Sequence, residues 1–254
     1  MSRRTPDGPP PPPVVQRVRI RYAKRGRLRF TSHRDFARAF ERALRRAEVP
    51  MGYSAGFSPH QKISYVGASP TGVASEAEYL EIGLAREVDI EQLRTSLDAA
   101  LPEGLDIVEV VVAGPGSLAE RMEASAWRIE LPGLSEALVR DAVEQFLACA
   151  EVGIERMTKG GRRTVDVRAA VIEMTVSGAA PDSPDGERAI IDMVVRQVTP
   201  TVRPDDVVAA LRSVGGLAPV ASPLAVRQAQ GPLDEQAAIG DPLAADRNHA
   251  TPPP

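Results

Sequence analysis

A single cysteine, Cys149, stands in the whole chain, and that scarcity removes several classes of protein at once. One thiol can build neither an internal disulfide framework nor an all-cysteine metal or iron–sulfur site. Beside Leu147 and Ala148 on a helical stretch, Cys149 reads as a buried small hydrophobe rather than a nucleophile. So few thiols fit a reducing compartment. Aromatics make up only 4% of the residues, so the core is expected to come from Val, Leu, Ile and Ala. No run approaches the roughly 18 apolar residues of a membrane span. Met1 to Pro13 holds two arginines and a proline run but no apolar middle of a secretory signal. The expectation is a cytoplasmic chain with no membrane partner. Phosphate-loop, dinucleotide-fingerprint, nucleophile-elbow, H-x-x-x-H and C-x-x-C patterns are all missing. No cofactor and no metal are therefore expected.

What the chain does have is charge sorted by position. The net charge is −3. From Arg17 to Arg46, twelve Lys and Arg face only Asp35 and Glu41, a local net of +10. From Glu76 to Glu151, seventeen Asp and Glu face five arginines, a local net of −12. Such asymmetry implies an anionic partner for the basic stretch, or a field that sets two faces against each other.

The order of predicted elements gives an α+β class. Residues 1–13 and 218–254 are expected to be disordered tails, rich in Pro, Ala, Gln and Gly without a helical or strand period. His249 falls in the second of them. Val14 to Tyr22 alternates as a half-buried strand, with Arg17, Arg19 and Arg21 on its outer side. Arg27 to Phe30 alternates again. Ser32 or Thr31 then caps a helix running to about Glu48, with Asp35 closing a box and Glu41 set to pair with Arg45. Two more strands, a helix from Asp89 and a strand from Leu105 complete a ferredoxin-like β-α-β-β-α-β order over 14–113. Residues 114–124 read as a linker. A second such half is expected over 125–217, with 164–176 as one extended segment.

Candidate working residues concentrate between Phe30 and Ser64. On the predicted helix, Phe36, Phe40, Ala43 and Leu44 share one side, while Arg34, Arg38, Arg42, Arg45 and Arg46 share the other. With Arg19 and Arg21 they form a basic surface able to bind nucleic acid by counterion release. Tyr53, Phe57 and Tyr65 are candidates for base stacking, with core packing an equal reading for Phe57. His33 opens the helix, either bonding local backbone or serving an anion or proton-transfer role with Asp35. His60 lies in a Gly/Pro-framed loop with Lys62 nearby, a setting where functional residues gather. In the second half, Lys159, Arg162, Arg163 and Arg168 surround Asp166; this is either an exposed turn or a second anion contact through Arg163 and Arg168.

Several of these segments resemble the radical SAM-linked protein family. They are Phe30–Asp35, Arg42–Ala47, Gly56–Ser64, Gly72–Leu80 and Thr164–Arg168, and the resemblance covers about residues 15–215. Gln61 departs from the proline that usually follows the histidine. This is a domain family of unknown function, found alone or fused behind a B12-binding radical SAM module. The resemblance implies a partner rather than a reaction. A radical SAM enzyme needs three cluster cysteines, and Cys149 alone cannot supply them. The expectation is an accessory protein that binds RNA and presents it to a radical SAM or RNA-processing enzyme. Two alternatives stay open: a small enzyme using His33 and His60, and a module docking an acidic protein.

Overall fold

The computed structural model describes residues 11–158, 161–178 and 187–247. The chain is a mixed α+β protein and divides into two compact units, Met1–Glu120 with Pro242–Pro254, and Arg121–Asp241.

The first unit contains β1 (Gln16–Lys24), α1 (His33–Arg46), β2 (Ile63–Val66), β3 (Ala74–Leu84), α2 (Ile90–Ala100) and β4 (Leu105–Val112). Its strands lie in the order β4-β1-β3-β2, each antiparallel to its neighbour. Alternation in β1 sends Val18, Ile20 and Tyr22 into a core shared with Phe36, Phe40 and Leu44 of α1 and Leu93 and Leu97 of α2. The Tyr22 and Phe36 rings stack 4.3 Å apart, an arrangement that adds to plain area burial. Helix α1 starts where the Ser32 hydroxyl accepts from the Asp35 N–H at 3.2 Å and donates to the Asp35 carboxylate at 2.7 Å.

Arg27 to Phe30 does not extend as a strand. Gly26 takes φ +52°, which turns the chain off the β1 ladder, and Gly26–Phe30 coils into a 3-10 turn. The helix after it ends at Arg46 rather than near Glu48. Between α1 and β2 the chain makes a hairpin-like excursion. Tyr53 bridges Gln61, and Ser54 and His60 exchange bonds, Ser54 N–H to the His60 carbonyl at 2.9 Å and His60 N–H to the Ser54 hydroxyl at 3.0 Å.

The second unit holds β5 (Ala124–Pro132), α3 (Glu136–Ala148), β6 (Gly153–Thr158), β7 (Gly161–Asp166), β8 (Val171–Gly178), β9 (Arg188–Arg196), α4 (Pro204–Gly215) and β10 (Leu224–Gly231). Strands β10-β5-β9-β8 form an antiparallel sheet, and β6 pairs only with β7. The stretch 164–176 is thus not one strand: a 3-10 turn at Arg168–Ala170 separates β7 from β8. Cys149 is not buried but half-exposed, at the C-cap of α3, where its Sγ donates to the Gln145 carbonyl at 3.3 Å.

The expectation of a structureless tail from 218 fails over much of its length. β10 pairs with β5 along Leu224–Gly231, and α5 (Ala244–Arg247) packs in the first unit. The inward positions of β10 include Arg227 and Gln230, both buried, so no hydrophobic alternation marks it. The Arg227 guanidinium lies 5.3 Å from the Trp127 ring centroid and donates Nη1 to Gln230 Oε1 at 3.2 Å, contacts that help to accommodate a buried cation there. His249, Lys159 and residues 1–10 lie outside the described residues.

Candidate anion-binding surface

The strand arginines are occupied within the protein. Arg19 is 1% exposed; its Nε donates to Glu81 at 3.0 Å, its Nη1 to Asp246 at 2.6 Å and its Nη2 to the Gly116 carbonyl. Burial acts to lower its pKa, but the bonds and charges of Asp246 and Glu81 outweigh that and hold it above its ordinary value. Arg21 donates to the Glu76 carbonyl at 2.9 Å. Arg25 bonds the Glu76 carboxylate and Asp106; its hydrogen bond to Glu76 above all, opposed by burial and helped by the charge of Glu76 and by Asp106, raises its pKa. The expected basic strand face is therefore corrected at Arg19, which Glu81 of β3 and Asp246 of α5 neutralise and which offers nothing to a ligand; Arg21 is half-buried and gives one N–H to a backbone carbonyl. The partner of Arg19 is 227 residues away, which no local pattern can reveal.

The helix arginines are different. Arg34, Arg38, Arg42 and Arg45 are exposed and make no ion pair among the described residues. The expected Glu41–Arg45 pair is not formed. Glu41 is half-buried, and its charge, after burial itself, raises the pKa of Tyr65. Asp35 is tied to Ser32. Arg46 donates Nη1 to the Ala100 carbonyl at 2.9 Å and has no carboxylate partner among the described residues. Arg34, Arg38, Arg42 and Arg46 stand on one i,i+4 row, where like charges destabilise an isolated helix. The row rises about 6 Å per step, or about 18 Å in all.

The two candidate histidines do not share a site. The His33 ring sits edge-on to Tyr65, centroids 4.8 Å apart. Tyr65 pairs with Leu80, whereas Gly83 donates to the Lys62 carbonyl. Leu80 and Gly83 are roughly 10 Å apart along β3, and His60 lies two residues beyond Lys62. The loop carrying His60 is nonetheless prominent: Phe57 is 70% exposed at its tip, Tyr53 is 39% exposed, and Lys62 is exposed. Phe57 is thus not a core residue, while Tyr65 is half-buried and its Oη has no hydrogen-bond partner among the described residues.

In the second unit the proposed cluster around Asp166 dissolves. Asp166 Oδ1 accepts from the backbone of Val152 at 3.2 Å and of Ala169 at 3.3 Å. Arg168 is half-buried, donating to the carbonyls of Leu147 and Val171 with its guanidinium 5.9 Å from the Phe146 centroid. It is a structural residue, not an anion contact. Arg162 pairs with Glu155 at 3.5 Å, and Arg163 is exposed on β7. Among the described residues no three His, Cys, Asp or Glu side chains gather as a metal site, and no helix is long and apolar enough to cross a membrane.

Residues 17–204 match the pattern of a family described as "Uncharacterized protein conserved in bacteria (DUF2344)". The chain belongs to the DUF2344 family. No curated protein matches it. Among solved structures, this DUF2344 chain is similar to an unknown protein from Galdieria sulphuraria at 15% identity. The match covers 78% of this chain and 91% of that one, with a TM-score of 0.24. The α1 segment that carries the arginine row lies inside the part matched by the DUF2344 pattern.

Proposed function

We propose that this DUF2344 chain is an accessory protein that binds RNA through α1 and the neighbouring loop. One observation carries the reading: the arginines of α1 are exposed and lack carboxylate partners among the described residues, whereas Arg17 and Arg19 of β1 are paired with acids. An exposed cationic row without counter-charges gains free energy by releasing the counterions of a phosphate backbone. Phe57, with His60 and Lys62 on the same loop, adds an aromatic face on which a base can stack. The separation of His33 from His60 weighs against a paired-histidine enzyme. The resemblance of the Phe30–Asp35 and Gly56–Ser64 segments to radical SAM-linked proteins supports a modifying enzyme as the partner that receives the RNA. We infer as well that both units are ferredoxin-like, with β10 as the fourth strand of the second and β6–β7 as an insertion. Their strand orders, β4-β1-β3-β2 and β10-β5-β9-β8, support that reading.

The test is anisotropy of a labelled single-stranded RNA of about twenty nucleotides with the full chain. Four phosphate contacts give a log–log salt slope of about −2.8, hence about 50-fold weaker binding at 200 than at 50 mM salt. Arg38→Glu with Arg42→Glu and Arg45→Glu abolishes the interaction. Absent or salt-independent binding defeats the reading, and capture of an acidic protein without RNA points to a docking module instead.

A further inference from the structure

The end of the arginine row is not a flat surface. Ala39, Arg42, Ala43 and Arg46 of α1 and Ala100, Leu101 and Pro102 at the end of α2 enclose a recess of about 250 Å³. That is below the roughly 300–1,000 Å³ typical of sites for drug-sized ligands. Its floor is made of small side chains, and its only charges are two guanidinium groups.

Three features fit a phosphorylated sugar. First, Arg42 and Arg46 are one helical turn apart, so both heads can reach one group in the recess. Second, the bond from Arg46 Nη1 to the Ala100 carbonyl anchors one edge of its guanidinium at the rim and leaves the rest of the planar fork for oxygen acceptors. Third, the opposite wall is Leu101 and Pro102, an apolar surface suited to a ribose rather than to a second charge. No carboxylate lines the recess, so a cation or zwitterion finds no partner in it.

We infer that this recess seats one phosphate of a nucleic-acid strand, held by Arg42 and Arg46, with its ribose against Leu101 and Pro102. The inference rests on the reading of α1 as an RNA-binding face and names the point on that face where a single nucleotide is fixed. The rest of the row, Arg34 and Arg38, then follows the strand as exposed point charges.

Two substitutions that keep every charge test it in the full chain, with the same labelled single-stranded RNA. Ala39→Leu fills the recess, and leucine suits a helix. Arg46→Lys keeps the charge but removes the planar fork. Each is expected to weaken binding about tenfold, while Arg140→Lys, on α3 of the second unit and outside the proposed face, leaves it unchanged. Arg46 is exposed, so Arg46→Lys carries the test even if Ala39→Leu perturbs folding, which circular dichroism reports. If Arg46→Lys and a folded Ala39→Leu both bind as the wild type does, the recess is overturned while the RNA-binding face stands. If the wild type itself fails to bind, the face and the recess fall together. Poly-glutamate competing as well as unlabelled RNA of equal charge also overturns the recess, because a carboxylate chain brings no phosphate and no ribose.

Discussion

Arg19 on β1 and Asp246 on α5 form a buried ion pair, 2.6 Å between Nη1 and Oδ1, across 227 residues of chain. Asp246 also accepts from the Gly114 N–H at 2.9 Å, and Arg247 beside it bonds Glu109 at 2.6 and 2.7 Å. Within the first unit, the segment from Pro242 to Arg247 is therefore held by charge as well as by the buried Leu243. Losing Asp246 leaves Arg19 with Glu81 alone and the Gly114 N–H without its acceptor, so the cost lies near the lower end of the about 3–5 kcal/mol of a broken buried pair. Asp246→Ala is expected to destabilise the chain by that amount in urea unfolding followed by circular dichroism. Arg17→Ala is the control. Arg17 also reaches Glu81, at 3.3 Å, but its side chain is 65% exposed, so its loss should cost less than about 1 kcal/mol. Equal effects from the two substitutions contradict this account of the latch.

Glu48 holds a backbone conformation that suits another residue. It follows the Ala47 C-cap with φ +51°, and it is exposed. Left-handed backbone at this point of a helix end is ordinarily glycine, because a Cβ is crowded there. Glu48→Gly is expected to stabilise the chain by about 0.5–1 kcal/mol, the relief of strain exceeding the extra freedom glycine gives the unfolded chain. Glu48→Ala keeps the Cβ and should bring no gain. A thermal midpoint that rises equally for both variants removes backbone strain as the cause.

How far the sequence reveals this molecule depends on how local each cause is. Helix α1 is legible throughout: its cap is Ser32, its buried face is Phe36, Phe40, Ala43 and Leu44, and its arginines face outward. Those features all lie within one helix and its cap. β10 is not legible, because Arg227 and Gln230 occupy buried positions where a hydrophobic alternation would be expected, and Arg227 is covered by Trp127, 100 residues away. Arg19 reads as outward-facing like Arg38, and only the distant partners Glu81 and Asp246 distinguish them. The recess beside Arg42 and Arg46 arises where the end of α2 meets α1, so no spacing within either segment announces it. The loop itself is legible from Gly56 and Pro59, but the outward position of Phe57 follows from a hairpin-like excursion held by Ser54 and His60, which the spacing does not announce.

Tyr65 offers a test of the ground between His33 and Glu41. Its ring is packed edge-on to His33 and to Phe36, yet its hydroxyl has no partner among the described residues. Burial, and then the charge of Glu41, raise its pKa above the ordinary value near 10. A raised phenol pKa means that the folded state holds the proton more tightly than the unfolded state. The associated stability is complete below about pH 10 and drains away as pH climbs from there toward the folded-state value. Phenylalanine at this position keeps the ring contacts, removes the unpaired hydroxyl and cannot ionise. Tyr65→Phe is therefore expected to be as stable as the wild type at pH 7, or more so by about 1 kcal/mol. Its advantage should widen between pH 10 and 11, where the wild type alone pays for holding a neutral phenol. Urea unfolding of both proteins at pH 7 and pH 10.5 measures the two differences. A Tyr65→Phe chain less stable by more than about 1 kcal/mol at pH 7 would assign the hydroxyl a bonding role. An advantage that stays constant with pH would mean that the phenol titrates alike in both states.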